Sequence, residues 1–189
     1  MLLEEVQPTR VILLGDLFTK GPDPKGVWKL IKKWNAESVL GNQDDYLVWK
    51  YRTKGHRKVS GSAIKISKKT IKWLEQRPLY LEEQGWKAIH AGVNPTGADT
   101  FRWIALCIRR WPHDGKSTNS FWWQVYRGDQ LIIYGHDAKR GLQDHRPYTL
   151  GLDSGCVYGG ALTGYILEED RLVSISSQAV YCPILNKGK

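Results

Sequence analysis

Four short apolar runs in this chain each end on a residue whose side chain can bind a metal ion. They are ILLGD ending at Asp16, SVLGN at Asn42, WKAIH at His90 and LIIYGH at His136. Runs of this length, bounded by glycine or polar residues, read as buried strands. Between the first two lies a segment of helical period. Pro24 opens it, where proline suits a first turn, and Val27, Leu30, Ile31 and Trp34 follow at i, i+3, i+4 and i+7. Strands alternating with helices in this way predict an α/β fold, with helices layered on a mixed central sheet. In such folds ligands collect beyond the carboxyl ends of buried strands. Four ends bearing Asp, Asn, His and His can therefore meet at one point.

The rest of the chain supplies the supporting elements. LEEV at positions 3–6 reads as the end of a helix closed by Pro8. Asp44 or Asp45 is placed to cap a helix running to about Lys54. Residues 55–66 read as an exposed polar loop, and a helix is expected around Lys68–Gln76, ahead of Pro78. PLYLEE and GWKAIH are two strands. Ala98–Trp111 reads as one helix with Phe101, Ala105 and Ile108 on one side, followed by a loop, PHDGKSTNS. HRPYTLGLDS reads as a strand, and ALTGYILEEDRLVSISS as a hairpin turning at Glu169-Asp170.

With 189 residues the chain suits one domain with a sizeable core. Its 28 basic and 19 acidic residues leave a formal charge of +9, which favours polyanionic partners such as nucleotides, polyphosphate, RNA or an anionic surface. General solubility explains the same excess. Nine tryptophans fit either ordinary core packing or a basic groove that stacks single-stranded nucleic acid. The three cysteines, Cys107, Cys156 and Cys182, form no C-x-x-C pair, which argues against a disulfide scaffold and a zinc ribbon. No run approaches the roughly 18 apolar residues of a membrane span, and MLLEEVQPTR lacks the regions of a signal peptide. A soluble, cytoplasmic protein is the expectation.

Taken singly, each strand end has an ordinary structural role. Asp16 can be a turn former or helix cap, Asn42 a turn residue, and His90 and His136 satisfied core histidines. Jointly they form a mixed oxygen and nitrogen set that suits zinc, iron or manganese better than calcium or copper. Such ions promote phosphoester hydrolysis by polarising phosphoryl oxygens and lowering the pKa of bound water. Paired ions about 3.5–4 Å apart stabilise the attacking and leaving oxygens together.

The blocks GDLFTKGPD, VLGNQD, IHAGV, YGHDAKRGLQ and LDSGCVYGGALTG resemble, in order, those of the calcineurin-like metallophosphoesterases. The branch they most resemble is the ApaH-like phosphatases, relatives of diadenosine tetraphosphatase and of serine/threonine phosphatases. The resemblance implies a four-layer α/β/β/α sandwich over residues 1–189 with a dinuclear centre of Mn, Fe or Zn. It makes Asp16 the carboxylate bridging two ions, with Asn42, His90 and His136 completing one site. Lys20 stands where many relatives hold phosphate with arginine, and it offers a point charge in place of a bidentate fork. Arg140 is a further candidate phosphate contact or else a solvated surface charge. The substrate implied is a dinucleoside polyphosphate, polyphosphate, capped RNA or phosphoprotein.

Two departures accompany the match. The family supplies two further metal ligands from an Asp-x-His-Gly block on a strand preceding GDLFTKGPD, and residues 1–15 contain no such block. The sandwich is therefore expected to lack its first strand, leaving an unpaired edge or a gap. Gln43 stands where the family has the histidine that protonates the leaving group, although its partner Asp44 is present. Glutamine can donate a hydrogen bond but cannot deliver a proton, and losing such a group costs on the order of 10²–10⁴ in rate. His113 and His145 are spare histidines with no spacing that assigns them this role. Three readings follow: a metal-dependent phosphoesterase, a catalytically inactive relative that binds a polyanion or a single metal, or, least favoured, a purely structural fragment.

Overall fold

A computed structural model describes residues 2–55, 65–97 and 100–183. Most of the expected loop at 55–66 lies outside these residues, as do positions 98 and 99. The chain opens with α1 (Leu2–Val6) and β1 (Ile12–Leu13), followed by α2 (Pro24–Lys33) and β2 (Glu37–Ser38). Asp23 caps α2 by accepting from the Gly26 amide, directly ahead of Pro24. β1 and β2 pair in parallel. Next come α3 (Asn42–Lys54), α4 (Lys68–Glu75), β3 (Tyr80–Glu83) and β4 (Trp86–Ile89).

α5 (Arg102–Cys107), β5 (Arg110–Trp111), β6 (Ser120–Phe121) and the one-turn α6 (Trp122–Val125) then lead into β7 (Leu131–Tyr134). β8 (Gln143–His145) and β9 (Thr149–Gly151) follow, and β10 (Ala161–Ile166) and β11 (Arg171–Ser176) close the described chain. The largest sheet is mixed, in the order β3-β4-β7-β9-β8, as the alternating pattern predicts. β4, β7 and β9 run parallel at its centre, while β3 and β8 are antiparallel edges. The expected hairpin forms from β10 and β11, turning through Leu167–Glu169 and a left-handed Asp170.

Two apolar clusters hold these parts. Phe18, Ile31, Leu47, Val48, Ile71 and Leu74 pack around β1 and α2–α4, while Ile89, Ile104, Ile108, Trp122, Trp123, Ile132 and Tyr134 pack against the large sheet. Trp122 and Trp123 are buried to 2% exposure or less, so part of the tryptophan content is core.

Four expectations are corrected. Ala98–Trp111 is not one helix, because α5 stops at Cys107 and Arg110–Trp111 pairs with β6. Pro112 disfavours helix at Trp111, and the hydrogen bonds run across to Ser120–Phe121. HRPYTLGLDS is not one strand. The chain turns at Pro147, which cannot donate within a ladder, and β8 and β9 pair on either side. Gly41, not Asp44 or Asp45, is the N-cap of α3, and Asp44 turns its carboxylate inward. On α2, Leu30 is exposed, and Trp28 packs against the core beside Ile31.

Candidate functional site

Both parallel pairs deliver their carboxyl ends to the same place. β1 leads through Leu14 and Gly15 to Asp16, and β2 leads to Gly41 and Asn42. β4 and β7 are neighbours in register, so the residues following them, His90 and His136, emerge side by side, and the Gly135 amide donates to the His90 carbonyl. The segment after β2 is tied to the chain leading into β3 by the Leu40 amide, which donates to the Pro78 carbonyl.

Glycine makes the approach possible. A Cβ on Gly41 would lie closer than 3.0 Å to both the backbone nitrogen and Oδ1 of Asp16. Gly15, at φ +87°, touches Gly41 in the same way. Asp16 and His136 themselves sit at φ 59° and 71°. Left-handed backbone is rare for residues other than glycine, and clusters where neighbouring structure fixes a functional geometry.

The four predicted side chains meet. His90 Nε2 lies 3.0 Å from Asn42 Oδ1, 3.1 Å from His136 Nδ1 and 3.5 Å from Asp16 Oδ1, and His136 Nδ1 lies 3.2 Å from Asn42 Oδ1. His90 Nδ1 is 2.6 Å from the Leu14 carbonyl, which can only accept. The ring proton therefore resides on Nδ1, and Nε2 turns a lone pair toward the cluster. This arrangement fixes a ligating histidine's tautomer. Burial, reinforced by the adjacent His90, pushes His136 down to about 3, so its ring is neutral at ordinary pH. Its Nε2 makes no hydrogen bond of normal geometry among the described residues, although the Cys107 backbone lies close enough to favour the charged ring slightly.

The cluster thus contains a carboxylate oxygen, an amide oxygen and two imidazole nitrogens, with at most one ring proton available between them. Such convergence of lone pairs favours a cation at its centre. Ligand bonds of about 2.0–2.2 Å place neighbouring donors roughly 3–3.5 Å apart, the range spanned by the separations of His90 from the other three and of His136 from Asn42. Among the described residues, no group of three or more His, Cys, Asp and Glu side chains could by itself hold an ion. The donor set reaches four through the Asn42 amide.

The surrounding polar groups support the carboxylates. Asp16 Oδ1 accepts from the Gln43 amide at 2.9 Å, in the first turn of α3, where the helix dipole favours negative charge. Asp44 is fully buried, and both its oxygens accept from the Leu17 amide, at 3.1 and 3.3 Å. Burial, and then the charge of Asp16, push Asp44 up to about 8. A cation beside Asp16 would oppose that repulsion.

Lys20, at φ 66°, donates to the Tyr158 hydroxyl at 2.7 Å, and its ammonium lies 5.3 Å from that ring's centroid. Burial opposes its charge, but the hydrogen bond to Tyr158 and the charge of Asp16 outweigh it and raise its pKa. Arg140 and Lys20 are both exposed, but Arg140 stacks 4.6 Å from the Phe121 ring centroid, whereas the charge of Lys20 is felt at His136. His113 packs against Trp103, with centroids 4.4 Å apart, and His145 lies in edge strand β8.

Three neighbours escape sequence reasoning. Arg109 reaches buried Asp137 at 3.5 Å, and its charge is felt at His136. Asp153, just past β9, is raised by burial and by the charge of Asp16. Tyr158 holds Lys20 across 138 positions. The blocks YGHDAKRGLQ and LDSGCVYGGALTG contain Asp137, Asp153 and Tyr158 without assigning them a role, and the strand-end rule, extended to LDSG after β9, points to Asp153.

No family model matches the chain. The bis(5'-nucleosyl)-tetraphosphatase PrpE (asymmetrical) of Halalkalibacterium halodurans is 30% identical over 196 residues, covering 87% of this chain and 78% of that protein. The protein of the same name from Oceanobacillus iheyensis is 27% identical over 198 residues, covering 89% and 78%. A crystal structure of a candidate diadenosine tetraphosphatase superposes with a TM-score of 0.84 at 28% identity, covering 93% of this chain and 86% of that one. A metallophosphoesterase from Sphaerobacter thermophilus shares the fold, with a TM-score of 0.55 at 14% identity, covering 94% and 81%.

Proposed function

Since this chain belongs to the ApaH-like branch of the calcineurin-like metallophosphoesterases, we propose that it is a metal-dependent hydrolase that cleaves a phosphoanhydride bond of a dinucleoside polyphosphate in the cytoplasm. The observation that carries this reading is the convergence of Asp16, Asn42, His90 and His136 at donor separations of 3.0–3.5 Å. These four would hold a divalent ion such as Mn, Fe or Zn, which when bound supplies a polarised phosphoryl oxygen and a more acidic water.

The protein's own groups would do the rest. Lys20, kept charged and aimed by Tyr158, draws in the phosphate and offsets its charge. The first turn of α3 presents its positive end to the same anion. Asp44 fixes the Leu17 amide, and so the turn that carries Asp16. Gln43, in the first turn of α3, would donate a hydrogen bond toward the leaving oxygen, and Arg140 would serve as an outer phosphate contact.

Gln43 also favours a second reading, a relative that binds a metal and a nucleotide without turnover, because a glutamine leaves the departing oxygen without an acid. Metal analysis of the purified 189-residue chain, with hydrolysis of diadenosine tetraphosphate and bis-p-nitrophenyl phosphate in Mn²⁺, separates the two. Metal-dependent turnover abolished by His90→Ala supports the hydrolase. Bound metal without turnover supports the inactive relative, and a chain that binds no metal refutes both.

A further inference from the structure

Most of the nine tryptophans are buried or half-buried, but Trp49 and Trp103 are exposed. On α3, Tyr46 and Trp49 are 49% and 48% exposed, yet their rings stack on each other with centroids 5.5 Å apart and planes 23° from parallel. The Lys54 ammonium lies 5.6 Å from the Trp49 ring, and Arg102 pairs with Asp45, the residue before Tyr46. An ordered aromatic pair left in water among cations is a feature that core packing does not explain.

Its placement ties it to the site. Asn42, Tyr46 and Trp49 are spaced i, i+4 and i+7 and so lie on one stripe of α3. Helical side chains lean toward the N-terminus, so Trp49 leans onto Tyr46, and the outer face of Tyr46 turns toward Asn42. Tyr46 and Trp49 lie about 6 and 10 Å along the axis from Asn42, within the reach of a ribose and a short phosphate bridge. The apolar groove beside Lys20, lined by Leu17, Phe18, Pro24, Val27 and Leu30, presents no such ring, since Phe18 is fully buried.

We propose that Tyr46 and Trp49 form a nucleobase platform: the base of one nucleoside end stacks on Tyr46 while its phosphates extend toward the ion that Asp16, Asn42, His90 and His136 would hold. Aromatic rings stack any base through its π-face, and the neighbouring lysine and arginine suit a ligand whose charge lies in its phosphates. The inference rests on the phosphoanhydride reading above and names the feature that selects a nucleotide over bare polyphosphate.

The test titrates ADP and inorganic pyrophosphate, each with Mn²⁺ present, into the 189-residue chain and its variants. ADP is expected to bind about tenfold or more tighter than pyrophosphate, the contribution of one stacked base. Tyr46→Ala should remove that advantage and Tyr46→Phe should keep it, while pyrophosphate affinity stays the same in all three. Equal affinity of the parent for both probes, or an ADP advantage that survives Tyr46→Ala, overturns the proposal. Turnover is scored separately. A chain that prefers ADP through Tyr46 but hydrolyses no diadenosine tetraphosphate keeps the platform and loses the hydrolase. One that hydrolyses it without an ADP preference does the reverse.

Discussion

Gly41→Ala is the sharpest probe of the site, because conformation and sterics predict opposite signs for it. Gly41 has φ −92° and ψ 161°, extended backbone that alanine adopts freely. On that ground the substitution would stabilise the fold by about 0.4–1 kcal/mol, by restricting the unfolded chain. Sterics say otherwise, since the added Cβ would lie closer than 3.0 Å to Asp16 at both its backbone nitrogen and Oδ1. The backbone nitrogen cannot swing aside, and Oδ1, although it ends a side chain, is tethered. Asp16 is held by the Gln43 amide, and the backbone behind it by Asp44. Overpacking of this kind costs about 1–3 kcal/mol, which at about 2–4 °C per kcal/mol for a chain of this size is a fall in Tm of several degrees. Relief requires Asp16 to retreat from the cluster, and misplacing a reacting group by about 1 Å can cost on the order of 10²-fold in rate. The assay is calorimetric titration with Mn²⁺ alongside thermal melts, with Gly21→Ala as control, since nothing lies within 4 Å of a Cβ there. If Gly41→Ala binds Mn²⁺ as tightly as the parent and melts no lower, the reasoning that this glycine exists to admit Asp16 is refuted.

Gln43→His should restore a proton donor on the first turn of α3 and raise kcat toward diadenosine tetraphosphate by about 10²–10⁴-fold with little change in KM; an unchanged kcat would show that the leaving oxygen departs elsewhere. Tyr158→Phe removes the hydrogen bond to Lys20 but keeps the ring beneath its ammonium. Losing a bond worth about 0.5–1.5 kcal/mol should raise KM several-fold with a smaller effect on kcat, and an effect confined to kcat would contradict a role in holding phosphate.

The parts of the fold that sequence makes legible are those where burial dictates pattern. A central parallel strand has little choice but to be apolar along its length and to stop at a turn, so β4 and β7 stand out in WKAIH and LIIYGH. β10 and β11 are equally plain, with a polar turn between two β-rich halves. Ala98–Trp111 misleads because Phe101, Ala105 and Ile108 carry a helical period that holds only as far as Cys107. Beyond it, pairing of Arg110–Trp111 with Ser120–Phe121 and the constraint of Pro112 outweigh the period. Leu30 misleads for a related reason: the apolar stripe of α2 is wider than the surface it covers, and Trp28 fills the space instead.

At the site, the four donors are legible because each ends an apolar run, and one rule finds all of them. What surrounds them obeys no local rule. Tyr158 reaches Lys20, and Arg109 reaches Asp137, through the way separate loops fold over the strand ends. The tautomer of His90 depends on the Leu14 carbonyl, 76 positions away in sequence. Yet that remote contact decides the chemistry. A proton on His90 Nε2 would make the ring a hydrogen-bond donor to Asn42 and Asp16, and the cluster would be an ordinary satisfied polar core. With the proton held on Nδ1 by Leu14, Nε2 faces Asn42 Oδ1, His136 Nδ1 and Asp16 Oδ1 as one more lone pair. The same four residues then lack positive charge among themselves, which a divalent ion would supply.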